Sequence, residues 1–255
     1  MTKRMVYTAL VGIPLVQPGD DVAALICKAL EEQGLVLIDG DIVVLAQKLV
    51  SKAQDRYVDL NDVEPSDEAR KYADLTGKDA RYLETVLSES KEVVRYRKDL
   101  IIVEHRLGYV MANAGIDESN IEHEEGTHRV LLLPADPDGT CSQLKADLDA
   151  KYGADVGIVI NDSFGRAWRN GVVGVALGSA GLPSLQSKIG HPDLFGREMR
   201  VTEIAIADEI AAAASLIMGQ TDEAIPAVHV RGFRSGATRN PALALIRQKE
   251  RDLFR

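Results

Sequence analysis

Residues 156–181, VGIVINDSFGRAWRNGVVGVALGSAG, carry the clearest architectural signal in this chain. VGIVIND (156–162) is a β-branched apolar run ending on polar residues, the pattern of a strand buried on both faces. GVVGVALGSAG (171–181) continues as glycine-punctuated β structure. Its glycines at 171, 174, 178 and 181 match neither GxxxxGK[ST] nor GxGxxG, so close backbone packing is their ordinary reading. Working outward, DIVVLAQ (41–47) is a second buried strand running into the polar stretch KLVSKAQ. AVHVRG (227–232) reads as a strand, and MVYTALVGI (5–13) as a short β run stopped by Pro14.

Helical periodicity fills the intervals. Asp20 or Asp21 caps a helix through Gln33 with Gly34 as its stop. Pro65-Ser66 opens a helix to Gly77, and a second runs from Asp79 to Glu89. EVVRYR (92–97), DLIIVEH (99–105), YVMAN (109–113) and RVLLLP (129–134) are β-like, and Thr140–Tyr152 is helical. TEIAIADEIAAAASLIM (202–218) is apolar nearly all round and predicts a buried helix. Asn240–Phe254 predicts a charged terminal helix. Strands and helices mix without strict alternation, which gives an α+β (mixed α/β) class with two interlocked subdomains. A boundary is expected in the 115–135 loop.

The chain has 255 residues, 45% hydrophobic and 27% charged, enough for a stable core and wrong for disorder. Its net charge of −9 argues against nonspecific nucleic-acid or anionic-membrane partners. Cys27 and Cys141 make no disulfide framework. No apolar run reaches a membrane span and the N-terminus lacks a signal-peptide pattern, so a cytoplasmic location is expected.

Several constellations could carry chemistry. HEEGTH (123–128) fails as a zinc motif, because histidines five apart point roughly 140° away from each other on a helix. Asp162 and Ser163 stand at the end of the strongest strand, followed by Arg166 and Arg169. They read either as a turn or as oxygen ligands for Mg²⁺ or Mn²⁺ beside forked phosphate donors. Asp117 and Asn120 in NAGIDESN offer a second acidic loop. Lys48 and Lys52, four apart, share a face if helical and repel unless an anion lies between them. Asp208 and Glu209 interrupt the most apolar helix, marking either a solvent edge or a site. Gln220 and Glu223 follow Gly219, where a loop could turn back toward a pocket.

GIPLVQPGDD, GDIVVLAQKLVSKA, RLGYVMANAGIDESN, LLLPADPD, the 157–182 block, LFGREMRVTEIAIADEIAAAASLIMGQ and IPAVHVRGF occur in that order. Together they resemble the coenzyme F420-0:L-glutamate ligase family, to about residue 233. The resemblance implies a ligase domain over 1–233, a helical tail over 234–255, and a stand-alone enzyme without the flavin domain of two-domain members. It implies GTP-dependent joining of L-glutamate to F420-0 through an acyl phosphate, in an intertwined homodimer with sites near the subunit interface.

By similarity, Gly12, Ile13, Pro14, Leu15, Gln47, Lys48, Lys52 and Asn120 would contact GTP. Asp117 and Asp162 would bind one divalent cation, Ser163 and Gln220 a second, with K⁺ as a further candidate. Ser163 stands where the family commonly has threonine, and SKIGHPDLFGRE departs more from the usual pattern. Arg166 or Arg169 is expected to grip the acidic substrate. The competing expectations are an amide ligase for another phosphorylated acid, and a GTP-binding regulatory protein without turnover.

Overall fold

The computed structural model describes residues 4–122 and 126–254. Its main sheet has the order β1 (Val6–Ala9), β12 (Ala227–Arg231), β2 (Ile42–Ala46), β8 (Gly157–Arg166), β9 (Arg169–Ala180). β2 and β8 run parallel and the other pairs antiparallel. The all-apolar runs of β2 and β8 are explained by their position, because both faces of the sheet are covered. On one face α1 (Val22–Glu32), α2 (Gln47–Ala53) and α5 (Pro137–Tyr152) build a core with Val43, Leu45, Ile158 and Ile160. On the other, α6 (Ile206–Met218) packs Ala207, Ile210, Ala211 and Ala214 against Ile42, Val44 and Val159.

A third apolar cluster is drawn from residues 58–132 alone. It joins α3 (Asp67–Thr76) and α4 (Ala80–Ser88) to the sheet β4 (Ser90–Arg97), β5 (Leu100–His105), β6 (Val110–Ala112). β3 (Tyr57–Asp59) pairs with β7 (Arg129–Leu131) where the chain enters and leaves this cluster. Leu132 packs into it and Leu133 into the main core. The chain returns to the main core between Leu132 and Leu133.

The helix ends follow their capping residues. Asp21, Ser66, Asp79 and Asp136 each accept a backbone N–H of the first turn, and Gly77 and Gly153 close α3 and α5 in the left-handed region.

Three expectations need correction. KLVSKAQ, left as a polar stretch, is helical α2 as far as Ala53. The helix expected over 202–218 starts only at Ile206, because Glu203–Ala205 pairs as β11 with β10 (Leu185–Ser187). Nor is that helix buried all round, since Leu216 is 86% exposed. Residues 240–254 are not a helix but hold two short 3₁₀ turns, Ala242–Leu245 and Lys249–Arg251. Tertiary hydrogen bonds override the local pattern there. Asp138 accepts the N–H groups of Ala242, Leu243 and Ser179, and the Asn240 amide pairs with Leu185. The tail is thereby tied beside β9, the sheet's last strand, and covers an edge that could otherwise template aggregation. No helix among the described residues is long and apolar enough to cross a membrane.

Candidate active site

Several segments meet at one end of β2. The register Ala46↔Asn161 brings the carboxyl end of β2 against the middle of β8, which runs on to Arg166 paired with β9, so Asp162 and Ser163 lie within the strand and not at its end as expected. The loops after β1 and before β12 reach the same end, since Ala9 pairs with Val228 and Leu45 with Ala227. Between them lies a cleft of ≈ 880 Å³, within the range of small-molecule sites.

Most of the anticipated residues line this cleft: Ile13, Pro14, Leu15, Gln47, Lys48, Lys52, Asn120, Asp162, Ser163 and Gln220. Gly12 lies just outside, at φ 82, and starts the turn that delivers Ile13 to Leu15. Asp117 is not in the wall itself, but its carboxylate lies 2.9 Å from the Lys48 ammonium. Arg166 and Arg169 do not line the cleft. They flank the exposed end of the long β8–β9 hairpin, where Arg166 donates to the Asn170 carbonyl and Trp168 turns the chain at φ 65.

The two lysines do share a face of α2, as their spacing requires, and each has a partner. Lys48 meets Asp117 and Lys52 donates to the Asn120 carbonyl at 2.7 Å. Burial, and then the neighbouring Lys48, lower the Lys52 pKa. From the Asn120 loop, which takes a left-handed φ of 56, the side-chain amide donates to the Thr221 carbonyl at 3.0 Å. The acidic loop is thereby tied across the cleft to the segment after α6.

That segment turns back as its glycine allows. Gly219 has φ 74 and ψ −173, a conformation reserved for glycine, and a Cβ there would collide with the Glu223 carboxylate. Gln220 then accepts a 2.7 Å hydrogen bond from the Ser163 hydroxyl. Behind it, buried Asn161 donates to Ser215 Oγ at 2.9 Å, locking the middle of β8 to α6. Burial, followed by the like charge of Asp117, pushes the Asp162 pKa up to about 7.

No motif or spacing pointed to Tyr57 and Arg129, which also line the cleft. They come together only through β3–β7 pairing, with the guanidinium 4.3 Å from the ring centroid. Asn161 could have been found, as a polar residue inside an otherwise apolar strand. His123 of the rejected zinc motif lies outside the described residues, while His128 stands 3.6 Å from Glu118. Among the described residues, no three His, Cys, Asp or Glu side chains group as a metal site.

Residues 11–232 match the family model for F420-0:Gamma-glutamyl ligase. The chain belongs to that family. The F420-0:Gamma-glutamyl ligase match takes in every anticipated site residue from Gly12 to Gln220. Similar curated proteins carry the name coenzyme F420:L-glutamate ligase. That of Methanothermobacter thermautotrophicus is 46% identical over 96% of both chains. That of Methanopyrus kandleri is 44% identical over 94% of this chain and 93% of its own. The Archaeoglobus fulgidus protein is 40% identical over 96% and 94%.

Proposed function

We propose that this chain joins L-glutamate to F420-0 with GTP as the energy source, releasing GDP and phosphate. One observation carries the reading: Lys48 and Lys52 of α2 and Asp162 of β8 line one nucleotide-sized cleft, and Asp117, from a third segment, pairs with Lys48 at its rim. The family membership and the names of the relatives supply the substrates.

The donor chemistry fits hard cations. Asp117 and Asp162 repel one another at close quarters, and added positive charge would relieve that repulsion. Ser163 Oγ and Gln220 Oε1 are neutral oxygen donors beside them. With only two carboxylates, the shell would be completed by neutral oxygens, water and phosphate, which suits Mg²⁺ or Mn²⁺. We assign Asp117 and Asp162 to one such ion and Ser163 and Gln220 to a second, with K⁺ as a further candidate. When bound, the ions would screen the phosphate oxygens.

The chain's own residues do the rest by positioning. Ile13, Pro14 and Leu15 form a wall for the nucleoside, with Gly12 setting their turn. Gln47, Asn120, Lys48 and Lys52 orient the phosphates. The acceptor carboxylate attacks the γ-phosphorus as the bond to GDP breaks, forming an acyl phosphate. The glutamate amine then attacks the acyl carbon and phosphate departs. Such transfers need alignment and charge neutralisation rather than a protein nucleophile.

We further propose a homodimer of two interlocked subdomains per chain, with residues 1–233 as the ligase domain. The β8–β9 hairpin end, with Trp168 88% exposed and Val172 also exposed, is the apolar surface a second copy would cover. That arrangement would give Arg166 and Arg169 their role at an acidic substrate near the interface.

The test is an incubation with F420-0, GTP, Mn²⁺ and glutamate, read by mass spectrometry. The reading requires a deazaflavin product heavier by one glutamyl residue, with GDP formed in step. GDP without that product would point to another acid acceptor, and neither product to a binding protein without turnover.

A further inference from the structure

A second cavity, of ≈ 330 Å³, runs beside β9, away from the cleft. Its walls include Tyr109, Phe164, Val175, Asp208, Arg247 and Phe254, so the C-terminal tail forms one side. The volume lies at the small end for ligand sites. Its position relative to the cleft is fixed by strand register. Val175 is the cross-strand partner of Asp162, and Phe164 lies two residues beyond Asp162 on the same face. Opposed side chains on paired strands stand roughly 5 Å apart. Asp162, Phe164 and Val175 therefore share one face of the β8–β9 pair, and the second cavity lies along that face from the carboxylate of the cleft.

Its chemistry is unlike that of the cleft. The Tyr109 ring meets Phe164 edge-on at 6.2 Å, and the Tyr109 hydroxyl donates to the Leu177 carbonyl, so this aromatic wall is fixed. Asp208 settles a question its sequence left open. It is half-buried in the first turn of α6 and lines this cavity, while Glu209 beside it is exposed. Asp208 Oδ1 accepts the Ala176 N–H at 2.9 Å. Among the described residues its Oδ2 accepts no hydrogen bond, and burial raises its pKa. Arg247, from the tail, holds its guanidinium 5.7 Å from the Phe254 ring centroid. Aromatic faces, one carboxylate acceptor and one guanidinium donor suit a flat heterocycle with neighbouring N–H and C=O groups. They do not suit a phosphate, which Asp208 and Asp252 would repel.

Resting on the ligase reading above, we propose that this cavity is the acceptor subsite, taking the deazaflavin ring of F420-0 while its carboxylate end runs along the same face of the β8–β9 pair to Asp162. Asp208 accepts the ring N–H, Arg247 donates to a ring carbonyl, and Phe164 with Tyr109 forms the apolar wall.

The experiment titrates the full chain with F420-0 without nucleotide, followed by deazaflavin fluorescence. A parallel titration uses the deazaflavin nucleoside that lacks the phosphodiester and carboxylate. Asp208→Asn keeps an oxygen for the Ala176 N–H, and Arg247→Ala alters an exposed tail residue, so both variants should fold. Each should weaken both ligands about tenfold, raise KM for F420-0 and leave GDP affinity unchanged. Unchanged affinity for both ligands in both variants, with wild-type turnover intact, overturns the subsite and leaves the ligase reading standing. A shift in oligomeric state without a change in ring affinity also overturns it, since the cavity would then be a subunit contact. Absence of wild-type turnover counts against the ligase reading, whatever the ring affinities.

Discussion

The Lys48 ammonium and the Asp117 carboxylate lie 2.9 Å apart, pairing a helix of the main core with the loop at the rim of the 58–132 cluster. This contact helps hold the acidic loop over the cleft. It is partly exposed, so its own worth to stability is about 0–1 kcal/mol, and its importance lies in what it orients.

Lys48→Met should therefore separate folding from function. Thermal unfolding should move by no more than a few degrees. Nucleotide affinity should fall at least about tenfold, because a cation facing the phosphates is lost and Asp117 is left unpaired. Calorimetric titration with GDP, beside a melting curve, checks both halves.

Gly174→Ala tests the packing behind the site. A Cβ there would sit 2.5 Å from Asn161 Oδ1 and 2.6 Å from the Ala211 carbonyl, and would overlap Ser215 Oγ. The backbone carbonyl cannot swing aside as a side chain could. Overpacking of this kind costs about 1–3 kcal/mol. Since Asn161 and Ser215 tie β8 to α6, kcat should drop together with the midpoint of a urea unfolding curve.

How much of this was legible beforehand varies element by element. The β2 and β8 runs, the Asp21 and Ser66 caps and the Gly77 stop were visible because local pattern and tertiary role agree there. The 240–254 segment departs from its helical pattern because distant contacts fix the chain's path there: Asn240 pairs with Leu185 and Asp138 holds the Ala242 and Leu243 amides. The acidic residues at 117 and 162 could be flagged by type. Their meeting depends on the β7 bridge and the β2–β8 register, which no spacing encodes. Tyr57 with Arg129 stayed invisible for the same reason.

Asp41 contributes to the acid limb of stability. The carboxylate is fully buried, and burial alone would raise its pKa. The Arg231 guanidinium, then His229, then the Ile38 N–H more than offset that and lower it overall. A depressed folded pKa means stability present above the unfolded value of about 3.9, and lost as pH falls through the lower folded one. Asp41→Asn should cost about 1–3 kcal/mol at neutral pH by leaving the half-exposed Arg231 guanidinium without its counter-charge and disturbing the hydrogen bond to His229. It should also flatten the dependence of unfolding free energy on pH below about 4, as urea titrations from pH 2 to 7 would reveal.

The most direct measurement concerns Asp117 and Asp162 together: Mn²⁺ binding in the presence of GDP, followed by electron paramagnetic resonance, in the wild type and in Asp117→Asn and Asp162→Asn. Because both carboxylates are assigned to one ion, each variant should lose at least about tenfold in affinity for that ion while melting near the wild-type temperature. Equal Mn²⁺ affinity in all three proteins would contradict the account, since the two carboxylates would then face one another without sharing a metal.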